Sequence, residues 1–231
     1  MKKNLILSAA LLLSASAAMA QTGTFQMKVN LKNLGDTIIA YKERNNMDTV
    51  LVKKGKFSYT TTLEAPKEIT FATPATFRGT ERKVFRVVAV PNEKAELTGD
   101  LDSRFDITGS NFYKQYHEVD LMMENIDGKI NAFADSLSNA MRNGGDKDAI
   151  MKEYNETLPK MVKVRNQQFL DYIGKHANEE ASATLVAQFT ELEDMEKAVS
   201  LLSDAVKNGR MKGFYQPLID QEKAEKKAEE E

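Results

Sequence analysis

The sequence predicts an α+β protein: an N-terminal antiparallel β-sandwich followed by an α-helical connector and hairpin region. Three observations carry that prediction. Between Thr24 and about Ser110, apolar and polar residues alternate with the period of strands, and turn residues interrupt them at short intervals. After Gly109 the apolar spacing changes to alternating steps of four and three, the pattern of one helix face. The 231-residue chain carries 42% hydrophobic and 29% charged residues with 12 Gly and 5 Pro, a composition that fills a core and is unlike a collagen or a disordered tract.

Residues 1–20 read as an export signal peptide. Met1-Lys2-Lys3 is a short positive segment, Leu5 to Leu13 an apolar one, and Ala18-Met19-Ala20 places small residues before Gln21 where signal peptidase cuts. Ser8, Ser14 and Ser16 interrupt the apolar run, which falls short of the roughly 20 residues a spanning helix needs. No cysteine follows to take a lipid, and no later stretch is apolar enough to span a bilayer. A soluble periplasmic or secreted protein is expected, with no membrane span in the mature chain.

Residues 21–110 form the expected sandwich domain. Its candidate strands are Thr24 to Leu31, Asp36 to Lys42, Asp48 to Lys53, Lys56 to Leu63, Glu68 to Thr73, Lys83 to Val90, Lys94 to Leu101 and Phe105 to Thr108, with no helix among them. Asn33-Leu34-Gly35, Lys54-Gly55-Lys56, Pro91-Asn92-Glu93 and Gly99-Asp100 are the turn signals between antiparallel neighbours.

Residues 111–213 form the expected helical domain. Phe112, Tyr116, Val119, Met123, Ile126, Ile130, Phe133, Leu137 and Met141 make one stripe, ended by Asn143-Gly144-Gly145. A second helix from Asp146 to His176 turns Ile150, Tyr154, Leu158, Met161, Phe169 and Ile173 inward, and Pro159 should kink or split it. Glu180 to Leu192 and Glu193 to Asn208 read as a shorter helical pair, with breaks at Gly209 and Gly213. Residues 214–231 read as a charged, disordered tail.

Charge and composition exclude several functions. Without Lys2 and Lys3, 30 Lys and Arg stand against 34 Asp and Glu, a net of -4 that speaks against nucleic-acid binding through phosphate neutralisation. Residues 21–110 hold 14 basic and 11 acidic groups and residues 111–231 hold 16 and 23, so a +3 half faces a -7 half. With no cysteine there is no disulfide, thiol nucleophile, thiolate metal site or redox dithiol. Gly79, Gly99 and Gly109 make no phosphate loop, because no Lys-Ser or Lys-Thr follows at a helix start. No Gly-x-Ser-x-Gly elbow is present.

Two clusters remain as candidates. His117 and Asp120, one helical turn apart beside Glu118 and Glu124, have the chemistry of a metal face or a base with its orienter, although scattered carboxylates around one His usually make a solvated face. His176 reads as a partner for a helix C-terminus. Arg78, Arg82, Lys83 and Arg86, with Phe77 and Phe85 interleaved, have the chemistry to contact an anionic sugar, a lipid head group or an acidic protein face; strand alternation makes Arg86 a rim residue. No catalytic, metal or cofactor-binding residue is assigned, and no cofactor is expected.

Gly55-Lys56-Phe57-Ser58-Tyr59, then Val88 to Asp100, then Thr108-Gly109-Ser110-Asn111-Phe112-Tyr113-Lys114-Gln115-Tyr116 resemble the β-domain of unknown function that precedes the thioredoxin domain in Bacteroidota thiol-disulfide interchange (TlpA/ResA-like) proteins. Phe169-Leu170-Asp171-Tyr172-Ile173-Gly174-Lys175-His176 and the following helical pair resemble the connector leading into that domain. The family's redox site is a Trp-Cys-x-x-Cys segment, and this chain has neither Trp nor Cys, so no catalytic residue carries over. The resemblance implies a free-standing version of the family's non-catalytic half.

The expected function is therefore a non-enzymatic, exported binding or interaction module, whose partner is a protein or a second copy. The alternative is an accessory or docking partner of a periplasmic thiol-disulfide oxidoreductase. N-terminal sequencing of exported material should begin at Gln21; a mature protein that keeps Leu5 to Leu13 would overturn the soluble assignment.

Overall fold

The computed structural model describes residues 22–43 and 46–230, so the leader expected at 1–20 lies outside the described residues. Each expected strand segment forms a strand: β1 (Gly23–Lys32), β2 (Thr37–Glu43), β3 (Asn46–Leu51), β4 (Lys56–Leu63), β5 (Lys67–Ala72), β6 (Val84–Ala89), β7 (Lys94–Asp100) and β8 (Phe105–Gly109). They build two four-stranded sheets, ordered β4-β1-β7-β8 and β3-β2-β5-β6. In β1, Phe25, Met27, Val29 and Leu31 are buried while Thr24, Gln26, Lys28 and Asn30 are exposed, so strand alternation divides core from solvent. The facing side chains meet in a run of rings: Tyr59 edge-on to Phe71 at 5.3 Å, Phe71 stacked on Phe85 at 5.0 Å, and Phe85 against Phe105 at 5.8 Å.

Four details of the sandwich differ from expectation. β1 and β7 pair in parallel, with Met27 opposite Ala95, because the chain crosses to the other sheet and back between them. The signals at Asn33 and Asn92 consequently lie in arches between sheets, each at positive φ, whereas Lys54-Gly55 makes a two-residue reversal closed by Lys53 and Lys56, which exchange backbone hydrogen bonds at 2.9 and 3.0 Å where the chain passes from one sheet to the other. At Gly55, φ 74°, a Cβ would collide with the Leu31 carbonyl, which is why the turn after β3 needs glycine. Gly99 lies inside β7 at φ 135° and lets the Arg104 backbone approach, and the β7–β8 turn follows it. A short helix, α1 (Pro74–Phe77), separates β5 from β6. The Thr76 amide donates to Thr73 Oγ1 at 3.2 Å and Pro74 occupies the first turn, a capping signal too short to register as a period.

α2 (Asn111–Arg142) starts beside β7, where the Ser110 amide donates to the Lys94 carbonyl at 2.9 Å. It then runs back along β8, so that Glu124 lies 3.5 Å from Arg104 near the start of that strand. Its first turns close the side of the sandwich between β6 and β8. Tyr113 is fully buried, donates to the Val88 carbonyl at 2.7 Å and packs against Phe25. α3 (Lys147–Lys175) returns antiparallel, capped by Asp146, which accepts from the amides of Asp148 and Ala149.

The second half departs further from the reading. α3 runs unbroken through Pro159, an exposed position where water can satisfy the carbonyl left without a donor, and Tyr154 lines a groove against α2 without being buried. The segment Glu180–Gln188 is a 3₁₀ helix, not α, and it is buried from Ala181 to Val186. Its small residues let α2, α3 and the later helices converge, and its hydroxyls are satisfied locally: Ser182 donates to the His176 carbonyl at 2.8 Å and Thr184 to Ala181 at 2.7 Å. α4 (Leu192–Leu201) and α5 (Asp204–Lys207) are separated at Leu202-Ser203. The expected disordered tail forms instead α6 (Lys212–Glu230), because Tyr215 and Ile219 at helical spacing are buried against the 3₁₀ segment and α4.

Arg210, between α5 and α6, fastens the helical region to the sandwich. Its Nε donates to both Glu180 oxygens at 3.0 Å, Nη2 reaches Glu93 and Glu180 at 2.5 Å, and Nη1 donates to the Pro91 carbonyl at 3.2 Å. The Ser110 hydroxyl donates to Glu93 from the other side. Buried apolar residues run continuously from the sheets into the helices, so the boundary at 110/111 does not divide the core. Arg210→Ala strands Glu93 and Glu180, and should cost about 2–3 kcal/mol in a denaturant titration, below the full penalty for a completely buried pair.

Candidate interaction surface

Of the two sequence candidates, the His117–Asp120 pair stays together in three dimensions and the basic run disperses. His117 and Asp120 sit on α2 facing β8, and the His117 Nδ1 is buried without a hydrogen-bond partner. Burial raises the Asp120 carboxyl above its ordinary range and Glu124 adds to the rise, while His117 and Arg104 oppose it. Among the described residues, no group of three or more His, Asp or Glu is arranged to hold a metal ion. His176 ends α3, where its ring stacks on Tyr172 at 4.1 Å and its Nδ1 lies 3.2 Å from Glu179.

The basic run does not form one patch. Lys83 donates to the Asn33 carbonyl at 2.7 Å and lies 3.5 Å from Asp102, and Arg86 is 3.6 Å from Glu68 on the neighbouring strand. Arg78, which closes α1, and Arg82 meet no carboxylate among the described residues. The charge asymmetry of the halves also fails to predict the joint. Arg104–Glu124 has the expected sense, but in the closest contact Arg210 comes from the acidic half and Glu93 from the basic one.

What the structure does present is a projecting helical hairpin. Beyond Asp127, α2 continues for about 22 Å at the usual rise per residue, with α3 alongside. The base is clamped by Arg165, whose Nε donates to Asp127 at 2.7 Å and Nη1 to the Gln188 carbonyl at 2.9 Å, with the guanidinium over the Phe169 ring. Past that clamp, only Leu137 and Ile150 are buried, although the expected apolar stripe continues. Two grooves flank the seam. One, of about 260 Å³, is lined by Ile126, Ile130, Met161 and Val164 with Lys129 and Lys160 at its rim. The other, of about 290 Å³, lies toward the tip between Leu137, Met141, Ile150, Met151 and Tyr154. Val164 is 59% exposed and Tyr154 37%.

Sequence periodicity found the stripe but not which part of it remains uncovered. Arg165 and Arg210 were missed as well, since their partners lie 38 and 117 residues away and no spacing rule reaches that far. No helix among the described residues is long and apolar enough to cross a membrane. Comparison with protein-family models, curated proteins and solved structures finds no match.

The Asp120 environment makes a pH-dependent prediction. The carboxyl titrates higher in the folded than in the unfolded chain, so folding is favoured while it is protonated and loses stability as pH rises through the folded value. Asp120→Asn should therefore raise Tm at neutral pH, and the difference from wild type should shrink toward zero as the pH falls below the ordinary carboxylate range. A variant equally or less stable at neutral pH would contradict this account.

Proposed function

We propose that the chain is a non-enzymatic, exported interaction module whose α2–α3 hairpin is the docking element. The observation that carries this reading is the uncovered apolar seam of the hairpin past the Arg165 clamp, with exposed Val164 and Tyr154 beside its grooves. A two-helix hairpin held out from the body leaves apolar surface that a partner can remove from water, and contiguous apolar surface on soluble proteins usually serves such a contact. The leader at residues 1–20 supports export to the periplasm, and the absence of Cys and Trp removes the redox chemistry of the family it resembles.

That resemblance favours a second reading, in which the partner is a periplasmic thiol-disulfide oxidoreductase. The Phe169 to His176 segment that carries the connector-like pattern forms the end of α3, directly below the hairpin. Both readings are tested by affinity capture from periplasmic extract with wild-type protein and the double variant Val164→Asp, Tyr154→Asp. Wild type should retain a partner that the variant loses at unchanged Tm. Equal capture by both proteins, or none by either, would remove the hairpin from the account; a captured protein bearing a Cys-x-x-Cys site selects the second reading.

A further inference from the structure

Four strands end the two sheets, and each leaves a row of backbone N–H and C=O groups without a strand partner. Three of these edges are managed. α2 covers β8 and closes the β6 side, where Tyr113 takes the Val88 carbonyl. β4 turns Lys56, Ser58, Thr60 and Thr62 outward, a polar row that offers a passing chain nothing to bury. β3 differs. It carries Met47, 55% exposed, and Leu51, 71% exposed, with Thr49 between them, and contains no proline. On the adjoining strand Tyr41 lies opposite Met47 and Ile39 opposite Thr49, so the apolar surface continues inward from the edge.

We propose that β3 is a dimerisation edge: two copies of this chain pair β3 to β3, antiparallel about a two-fold axis through Thr49, and join their β3-β2-β5-β6 sheets into one continuous sheet of eight strands. The chemistry of Met47-Asp48-Thr49-Val50-Leu51 reads the same in either direction on its outer face, large apolar, threonine, large apolar. An antiparallel copy therefore sets Met47 against the partner's Leu51 and Thr49 against the partner's Thr49, the self-complementarity that a two-fold interface requires.

The alternatives are poorer. Parallel pairing in register would put Asp48 beside the partner's Asp48, and a slip of one residue would turn the apolar row against the wrong face. In the antiparallel arrangement Asp48 falls opposite the partner's Val50 and keeps its own partners, Lys42 at 3.0 Å and the Tyr59 hydroxyl at 2.7 Å. Those groups hold its carboxyl below the usual range, the Tyr59 bond first and Lys42 after it. The helical region packs on the β6/β8 side, across the sandwich from β3, and leaves this edge accessible.

Sedimentation equilibrium of the purified protein, with amide hydrogen exchange, tests the proposal. Wild type should be a dimer whose outward β3 amides are protected. Met47→Lys with Leu51→Lys, at exposed positions that leave the core untouched, should keep Tm in dilute solution and raise the dimer dissociation constant about tenfold or more. Thr49→Pro, which removes an edge donor, should weaken the dimer too. A monomeric wild type at the highest soluble concentration overturns the proposal, as does a dimer that survives the lysine pair. Unprotected β3 amides in a dimer, or an extended peptide from another protein on this edge in place of a second copy, would also overturn it. The hairpin variant Val164→Asp, Tyr154→Asp should leave the dimer intact; loss of the dimer there would assign it to the hairpin instead.

Discussion

The placement of Tyr113 decides much of the architecture. A sandwich of two four-stranded sheets has two open sides, and here one of them is shut by the first turns of α2 with Tyr113 fully inside. Burying a phenol without a partner is costly, so its hydroxyl must find an acceptor, and the Val88 carbonyl on the edge strand β6 supplies one at 2.7 Å. That bond and the Ser110 amide on the Lys94 carbonyl anchor the start of α2, and packing against β8 sets its course. Because α2 must follow β8 back toward Arg104, its remaining length has no sheet to lie on and extends past the body with α3 beside it. The projecting hairpin is thus a consequence of helix length acting on a fixed starting point.

Two arginines then hold the pieces that apolar contact alone would leave loosely oriented. Arg210 ties the α5–α6 corner to Glu180 in the 3₁₀ segment and to Glu93 and Pro91 in the sandwich, and Arg165 ties α3 to Asp127 and Gln188 at the hairpin base. A guanidinium suits both places because its planar fork serves several acceptors at once, which a lysine ammonium does not do with the same geometry. Buried ion pairs contribute less net stability than their short distances suggest, since desolvation offsets attraction. Their contribution here is orientation: without Glu93 as a shared acceptor for Ser110 and Arg210, the start of α2 and the α5–α6 corner would lose their common reference.

Much of the fold was legible in the sequence because burial imposes periods. The alternation in Phe25-Gln26-Met27-Lys28-Val29 and the stripe from Phe112 to Ile126 are local consequences of which side faces the core. What was not legible depends on remote partners. The parallel pairing of β1 with β7 follows from inter-sheet crossings that no local turn signal encodes, and Asn33 or Asn92 has the same positive φ in an arch as in a hairpin. The tail was misread because its Lys and Glu content dominates the composition, while Tyr215 and Ile219 are buried. Ala181-Ser182-Ala183-Thr184 reads as a weak helix, and only convergence of several helices on it explains a tight 3₁₀ coil of small residues. His117 and Asp120 were identified as a pair, yet their surroundings on the β8 side, which set the protonation of Asp120, are contributed partly by Arg104 and Asp106 from another part of the chain.

The same division explains why interaction surfaces are harder to read than cores. A core position declares itself by being apolar at the right period, whereas Val164, Tyr154, Met47 and Leu51 are apolar at periods that would suit burial and remain exposed because no other element reaches them. The outer end of the hairpin and the β3 edge are uncovered for separate reasons: one helix pair outruns the sandwich, and the closing helix lies on the opposite side from β3. Inward-facing Asp48 shows that the edge is not simply undefended. Its charge must keep Lys42 and the Tyr59 hydroxyl, which disfavours any added strand that would displace them or bring a second carboxylate alongside. The edge therefore discriminates among incoming strands through its inner row while attracting them through its outer one, and that combination narrows the strands it accepts toward an antiparallel sequence like its own.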